Sequence, residues 1–170
     1  MKLINMIKII IPALIVGVTF SAIAAPDAPV KSSHNPIGYW FTGIDEEIGK
    51  RRAKVELYPC GSKICGKILA LSVPIDPETK QPKLDKHNSD ESKKKNPVVG
   101  MQMVMNMAPE ASEPNKWSGG EVYDAQTGKT YSGNFTMPDK DNLHLRGYVL
   151  GMPMLGRTQE WIRTTKDAGF

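Results

Sequence analysis

The amino-acid sequence predicts an all-β fold, an antiparallel up-and-down barrel of eight strands. Three observations carry that expectation. Short segments with two-residue alternation follow one another, separated by turns rich in Gly, Pro, Asn and Asp. No segment has the apolar spacing of an amphipathic helix. Finally, Gly38-Tyr39-Trp40-Phe41 opens the first strand and Trp161-Ile162-Arg163 closes the last. Gly38 allows a tight bend, Trp40 supplies a large apolar plug, and an arginine at position 163 suits a cation–π lid on that indole.

The elements follow in order. After Gly38–Thr42, the segment 43–49 reads as a loop bounded by glycines. Arg52 to Tyr58 alternates, placing Ala53, Val55 and Leu57 on one face and Lys54 and Glu56 on the other. Pro59 and the Cys60–Cys65 segment turn the chain back into Lys67–Val73. Residues 74–96 carry three prolines and many charges, the composition of a long surface excursion. The fourth strand is expected over 97–107. Lys116–Tyr123 and Lys129–Thr136 flank a hairpin loop whose Gly128 suits a left-handed position. Asn142–Val149 alternates again, with Leu143, Leu145, Gly147 and Val149 opposite His144, Arg146 and Tyr148. The last strand is expected over 156–164. Eight strands can close around side chains or one small ligand, and closure removes exposed edges.

Residues 1–24 read as a secretory signal peptide. Lys2 and Lys8 are its basic region, Ile9–Phe20 its apolar run, and Ala22-Ile23-Ala24 its small-residue cleavage site. The apolar run is short for a membrane span, and no Cys follows it to carry a lipid. Residues 25–36 form a flexible leader, 37–164 a single domain, and 165–170 a C-terminal tail. Export implies a periplasmic or secreted location, where Cys60 and Cys65 are expected to form a disulfide across a hairpin.

Removing residues 1–24 takes away two lysines and lowers the net charge from +4 to +2. The one basic run, Lys93-Lys94-Lys95, has acidic neighbours and no interleaved aromatics, which argues against a nucleic-acid partner. The three histidines are scattered, and no nucleophile elbow, phosphate loop or histidine metal motif is present. The expectation is therefore a protein without cofactor and without catalysis.

Several motifs together resemble a family of short secreted bacterial proteins, the domain-of-unknown-function family 2147. They are Gly38-x-Trp40, Cys65-Gly66-Lys67-Ile68, Asp85-Lys86-His87-Asn88, Gly119-Gly120-x-Val122-Tyr123-Asp124 and Thr127-Gly128-Lys129-Thr130-Tyr131. Leu143-x-Leu145-Arg146-Gly147-Tyr148 and Gly156-Arg157-Thr158-Gln159-x-Trp161-x-Arg163 complete the set. The resemblance implies an exported lipocalin-like, or calycin-like, barrel in which Gly38, Trp40, Trp161 and Arg163 close one end. It implies no enzyme activity, and Cys60 is an addition to the family's pattern.

Two constellations point to binding. Met101, Met103, Met105 and Met107 recur at two-residue spacing, which on a regular strand puts four thioethers on one face. Such a row lines a barrel interior with adaptable side chains or, alternatively, offers soft ligands to Cu(I). Trp117, Tyr131, Arg146 and Tyr148 lie on adjacent strands and suit an apolar pocket with one charge, Arg146 facing the carboxylate of a fatty-acid-like ligand. The leading expectation is a small apolar or amphipathic ligand held by Met101, Met103, Met105 and these four. The alternatives are a filled barrel that acts as an envelope interaction module through its 74–96 loop, and a Cu(I)-binding protein.

Overall fold

The computed structural model describes residues 33–46, 49–149 and 152–170. The expected signal peptide and the leader up to residue 32 lie outside them. Eight strands form a closed antiparallel barrel: β1 (Gly38–Phe41), β4 (Ala53–Cys60), β5 (Lys63–Leu71), β6 (Gln102–Pro109), β7 (Lys116–Asp124), β8 (Lys129–Thr136), β9 (Asn142–Val149) and β10 (Met152–Thr164). The segment expected as a plain glycine-bounded loop instead holds a small hairpin, β2 (Ile44–Asp45) with β3 (Lys50–Arg51). Neighbours in sequence pair antiparallel, mostly through hairpins, with β5 and β6 joined by the 72–101 excursion. The short β1 closes the ring by pairing with both β4 and β10, Trp40 standing between Val55 and Arg163.

Closure follows from the alternation. Val55 and Leu57 on β4, Leu143 and Leu145 on β9, Phe135 on β8 and Trp161 on β10 are buried inside. Cys60 and Cys65 are joined by a disulfide. The turn is tighter than the sequence suggested. Lys63 faces Cys60 and Tyr58 faces Cys65, so only Gly61 and Ser62 form the hairpin tip and the bridge runs diagonally between strands.

One end of the barrel is sealed. Trp40 is fully buried, and its indole N–H donates to the Pro36 carbonyl at 2.9 Å. The Arg163 guanidinium lies 4.2 Å from the Trp40 ring centre and donates to the carbonyls of Asn35, Ile37 and Lys140. Burial pushes the Arg163 pKa down and nearby Asp141 opposes that shift. Gly38 has φ +133°, and a side chain there would crowd the Arg163 guanidinium. Residues 33–36, expected as flexible leader, are held instead, since Ser33 and His34 donate backbone N–H groups to the Asn115 side chain. The C-terminal tail also packs. Lys54, only 7% exposed, donates from its ammonium to the carbonyls of Lys166 and Ala168, while Phe170 lies against Phe41.

Above that floor the barrel is filled to about mid-height. Trp117 stacks on Phe135 at 4.9 Å, and fully buried Met107 reaches into room that Gly120 and Gly133 leave open. The four-methionine face predicted for β6 does not form. Asn106 adopts φ +57°, and around it the pairing of β6 with β5 shifts register. Val104 and Met107, three residues apart, therefore both enter the core, while Met105 is half-buried. Residues 97–101, expected as strand, belong instead to the excursion that precedes β6.

Candidate functional site

The opposite end is open. Residues 42–45 and Arg52, the turn residues 125–127, Val98 of the 72–101 excursion and residues 154–156 of β10 border it. Inside lies a cavity of about 780 Å³, within the size range of small-molecule sites. Its lower wall is apolar, built from Ala53, Ile68, Met103, Val122 and Leu145. Val98, from the excursion, joins Ala53 and Ile68 in a second buried cluster against which Leu71, Met101, Met103 and Ala125 pack.

The excursion is a strap with defined structure. It contains a short 3-10 turn (Glu91–Lys93) and two isolated bridges, Ile75 to Pro82 and Leu84 to Pro97. Asp85 fastens it to the barrel. This carboxylate, 1% exposed, accepts the Tyr123 hydroxyl at 2.8 Å and the Asn88 amide at 2.6 Å. Burial, with Asp85 alongside, pushes the Tyr123 phenol up to about 12. Gly128, at φ +67°, fits against the strap because a Cβ there would collide with the His87 carbonyl. A second cleft of about 510 Å³ opens under the strap and shares Arg52, Leu71 and Val98 with the main cavity.

The polar groups of the cavity fall into two sets. On one side Asp45 and Arg52 form an ion pair, and Asp124 is engaged in its own turn, accepting the Gln126 N–H and the Thr127 hydroxyl. Burial lowers the Arg52 pKa, opposed by the charge of Asp124. The other set lies on β8 and β10. Alternation back from the buried Trp161 turns Gln159 and Arg157 inward, opposite Leu145 and Gly147. Gln159 accepts the Trp161 indole N–H at 3.3 Å. The side chains of Arg157 and Tyr131, both on the cavity wall, have no polar partner among the described residues.

The family profile described as "Uncharacterized protein conserved in bacteria (DUF2147)" matches residues 38–163, from the first barrel strand to the last. The chain belongs to this family. The structure is similar to a solved one described as "Protein HP1028 from the human pathogen Helicobacter pylori belongs to the lipocalin family". The TM-score is 0.64 at 18% identity, covering 79% of this chain and 86% of that one, a likeness of fold. No curated protein sequence matches. Among the described residues no helix is long and apolar enough to cross a membrane.

The structure accounts for several motifs of the DUF2147 chain. Asp85 and Asn88, Tyr123 and Asp124, and Gly128 come together where the strap meets the hairpin between β7 and β8. Gly147 and Arg157 meet on the inner wall, and Gly38, Trp40 and Arg163 at the floor.

The residues expected to bind a ligand scatter. Met103 and Tyr131 line the cavity, and Met101 packs behind it against the second cluster. Trp117 is placed in the floor core, stacked on Phe135, rather than in a pocket. Met105 sits on the half-buried row beside Glu121 and is not on the cavity wall. Arg146 and Tyr148 lie on the outer face of β9, because Leu145 and Gly147 take the inner one; Arg146 donates to the Thr158 hydroxyl and the Met154 carbonyl. Met107 is buried in the core beneath the cavity, so the alternative metal set of four methionines does not gather. Arg157 and Gln159 were missed, although the parity of β10 counted from Trp161 points to them. Asp85, which the sequence presents with His87 and Asp124 as a solvated turn residue, is instead buried, because its partner Tyr123 arrives from 38 residues away.

Proposed function

We propose that this protein holds a small apolar or amphipathic molecule in the mouth of its barrel, in a non-catalytic role. The observation that carries this reading is the division of the barrel into a packed floor and an unfilled upper half. A protein that needed only a core would gain about 25 cal/mol for each further Å² of apolar surface taken from water there. Here apolar walls are left facing an open volume of about 780 Å³ instead. The mouth also carries exposed apolar side chains, Ile44, Met154 and Leu155, which favour entry of a ligand with a hydrocarbon part. In this reading the protein works in the periplasm or outside the cell, a setting that the disulfide suits.

The test is uptake of a neutral apolar fluorophore, N-phenyl-1-naphthylamine, by the mature chain. Its emission should rise in a saturable manner. Gly147→Leu should reduce binding at least tenfold, because a Cβ at Gly147 meets only Tyr131 at ordinary contact distance and the longer side chain extends into the cavity. No saturable uptake, or uptake unchanged in the Gly147→Leu variant with its fold intact, would overturn the reading.

A further inference from the structure

We infer that the cavity reads an anionic head group, and that Arg157 is the residue that reads it; the inference rests on the proposed binding role and names the chemical class of the ligand. Arg157 faces inward opposite Gly147. On the other side of Gly147, across β8, stands Gly133, and Tyr131 lies two residues along the same inward row. Gly147 carries no side chain, so the wall between Arg157 and Tyr131 is bare backbone, with room for a head group.

The charges nearby do not satisfy Arg157. Asp45 is paired with Arg52, and Asp124 serves its own turn and acts electrostatically on Arg52. Arg157 has no hydrogen-bond or ion-pair partner among the described residues, nor does the Tyr131 hydroxyl. A guanidinium presents a planar fork of donors that matches a carboxylate with two parallel hydrogen bonds. A phenol beside it supplies one further donor. One cation and one neutral donor match a single negative charge rather than a doubly charged phosphate. The walls around them include Val122, Leu145, Met103 and Ile68, suited to a hydrocarbon tail. The ligand class is a monoanionic amphiphile of the long-chain carboxylate kind, bound tail-down with its carboxylate at the level of Gly147.

The experiment compares two fluorescent probes, an anthroyloxy-labelled octadecanoate and its methyl ester, on the mature wild-type chain and on Arg157→Gln. The carboxylate should bind wild type at least tenfold more tightly than the ester. Arg157→Gln should bring the carboxylate's affinity down to the ester's affinity for that same variant. Arg157 is exposed and makes no side-chain bond, so urea melts of the two proteins should coincide. Equal affinity of wild type for both probes would overturn the inference while leaving the binding role intact. So would a carboxylate preference that survives Arg157→Gln. Failure of both probes to bind would overturn the binding role and the inference together.

Discussion

The clasp between strap and barrel gives the sharpest prediction, because it joins a buried charge to a measurable pH window. In Tyr123→Phe, Asp85 keeps the Asn88 amide but loses the phenol that donates to it at 2.8 Å. A hydrogen bond to a charged group contributes roughly 1.5–3 kcal/mol. Tyr123 is only half-buried, so the lower end of that range, about 1.5 kcal/mol, is the expected loss at pH 8. The pH dependence follows from the phenol. Its folded pKa is raised to about 12 from an ordinary value of 10.0, so folding favours the protonated form. The stabilisation is therefore complete below pH 10 and is lost as pH climbs towards 12. Urea melts of both proteins between pH 8 and pH 12 should show a stability difference that is constant up to about pH 10 and shrinks above it. Subtracting the variant removes the contributions of the other tyrosines and the lysines. Amide exchange should also quicken over the strap and leave the floor strands unchanged. A variant as stable as wild type at pH 8, or a difference that stays flat through pH 12, would refute this account of the clasp.

Two further predictions concern the packed half. Arg163→Lys removes a planar donor fork that stacks on Trp40 and holds three carbonyls, so it should cost about 2 kcal/mol in a urea melt despite keeping the charge. In the second, a Cβ at Gly133 would lie 2.6 Å from the Met107 methyl and 2.7 Å from Val122, so Gly133→Ala should cost about 1–3 kcal/mol by overpacking. Met107→Ala alone should cost about 2–5 kcal/mol by leaving a cavity. In the double variant the new methyl occupies part of the vacated space. The two costs should then fall short of additive by at least about 1 kcal/mol, and additivity within about 0.5 kcal/mol would count against the fit between Met107 and Gly133.

Legibility in the sequence tracked how regular each strand is. On β4 and β9 the run of alternate apolar residues is unbroken, and the inward sets Ala53-Val55-Leu57 and Leu143-Leu145 are those the pattern names. On β6 the spacing of the methionines looked the most regular of all and misled. A single left-handed residue, Asn106, resets the period, and nothing local beyond asparagine's tolerance for that conformation announces it. The strap was legible as an excursion by its composition but not as structure. Its order comes from Asp85 meeting Tyr123 and from Gly128 meeting His87, contacts made across the fold.

The placement of the charges shows why fold was easier to read than site. An arginine on a strand faces in or out according to one residue of register, so Arg146 and Arg157 are equivalent in composition and opposite in role. What separates them is an anchor. Trp161 and Arg163 must face the floor for the barrel to close over Trp40, and every second residue back along β10 is then committed to the interior. Gln159 and Arg157 inherit their orientation from that closure. The requirement that seals one end of the barrel thus delivers an arginine to the other, where the walls are apolar and Gly147 leaves room beside it. A floor substitution that shifted the register of β10 by one residue would turn Arg157 and Gln159 to solvent and Thr158 inward, abolishing the carboxylate preference along with the part of the cavity wall that β10 supplies.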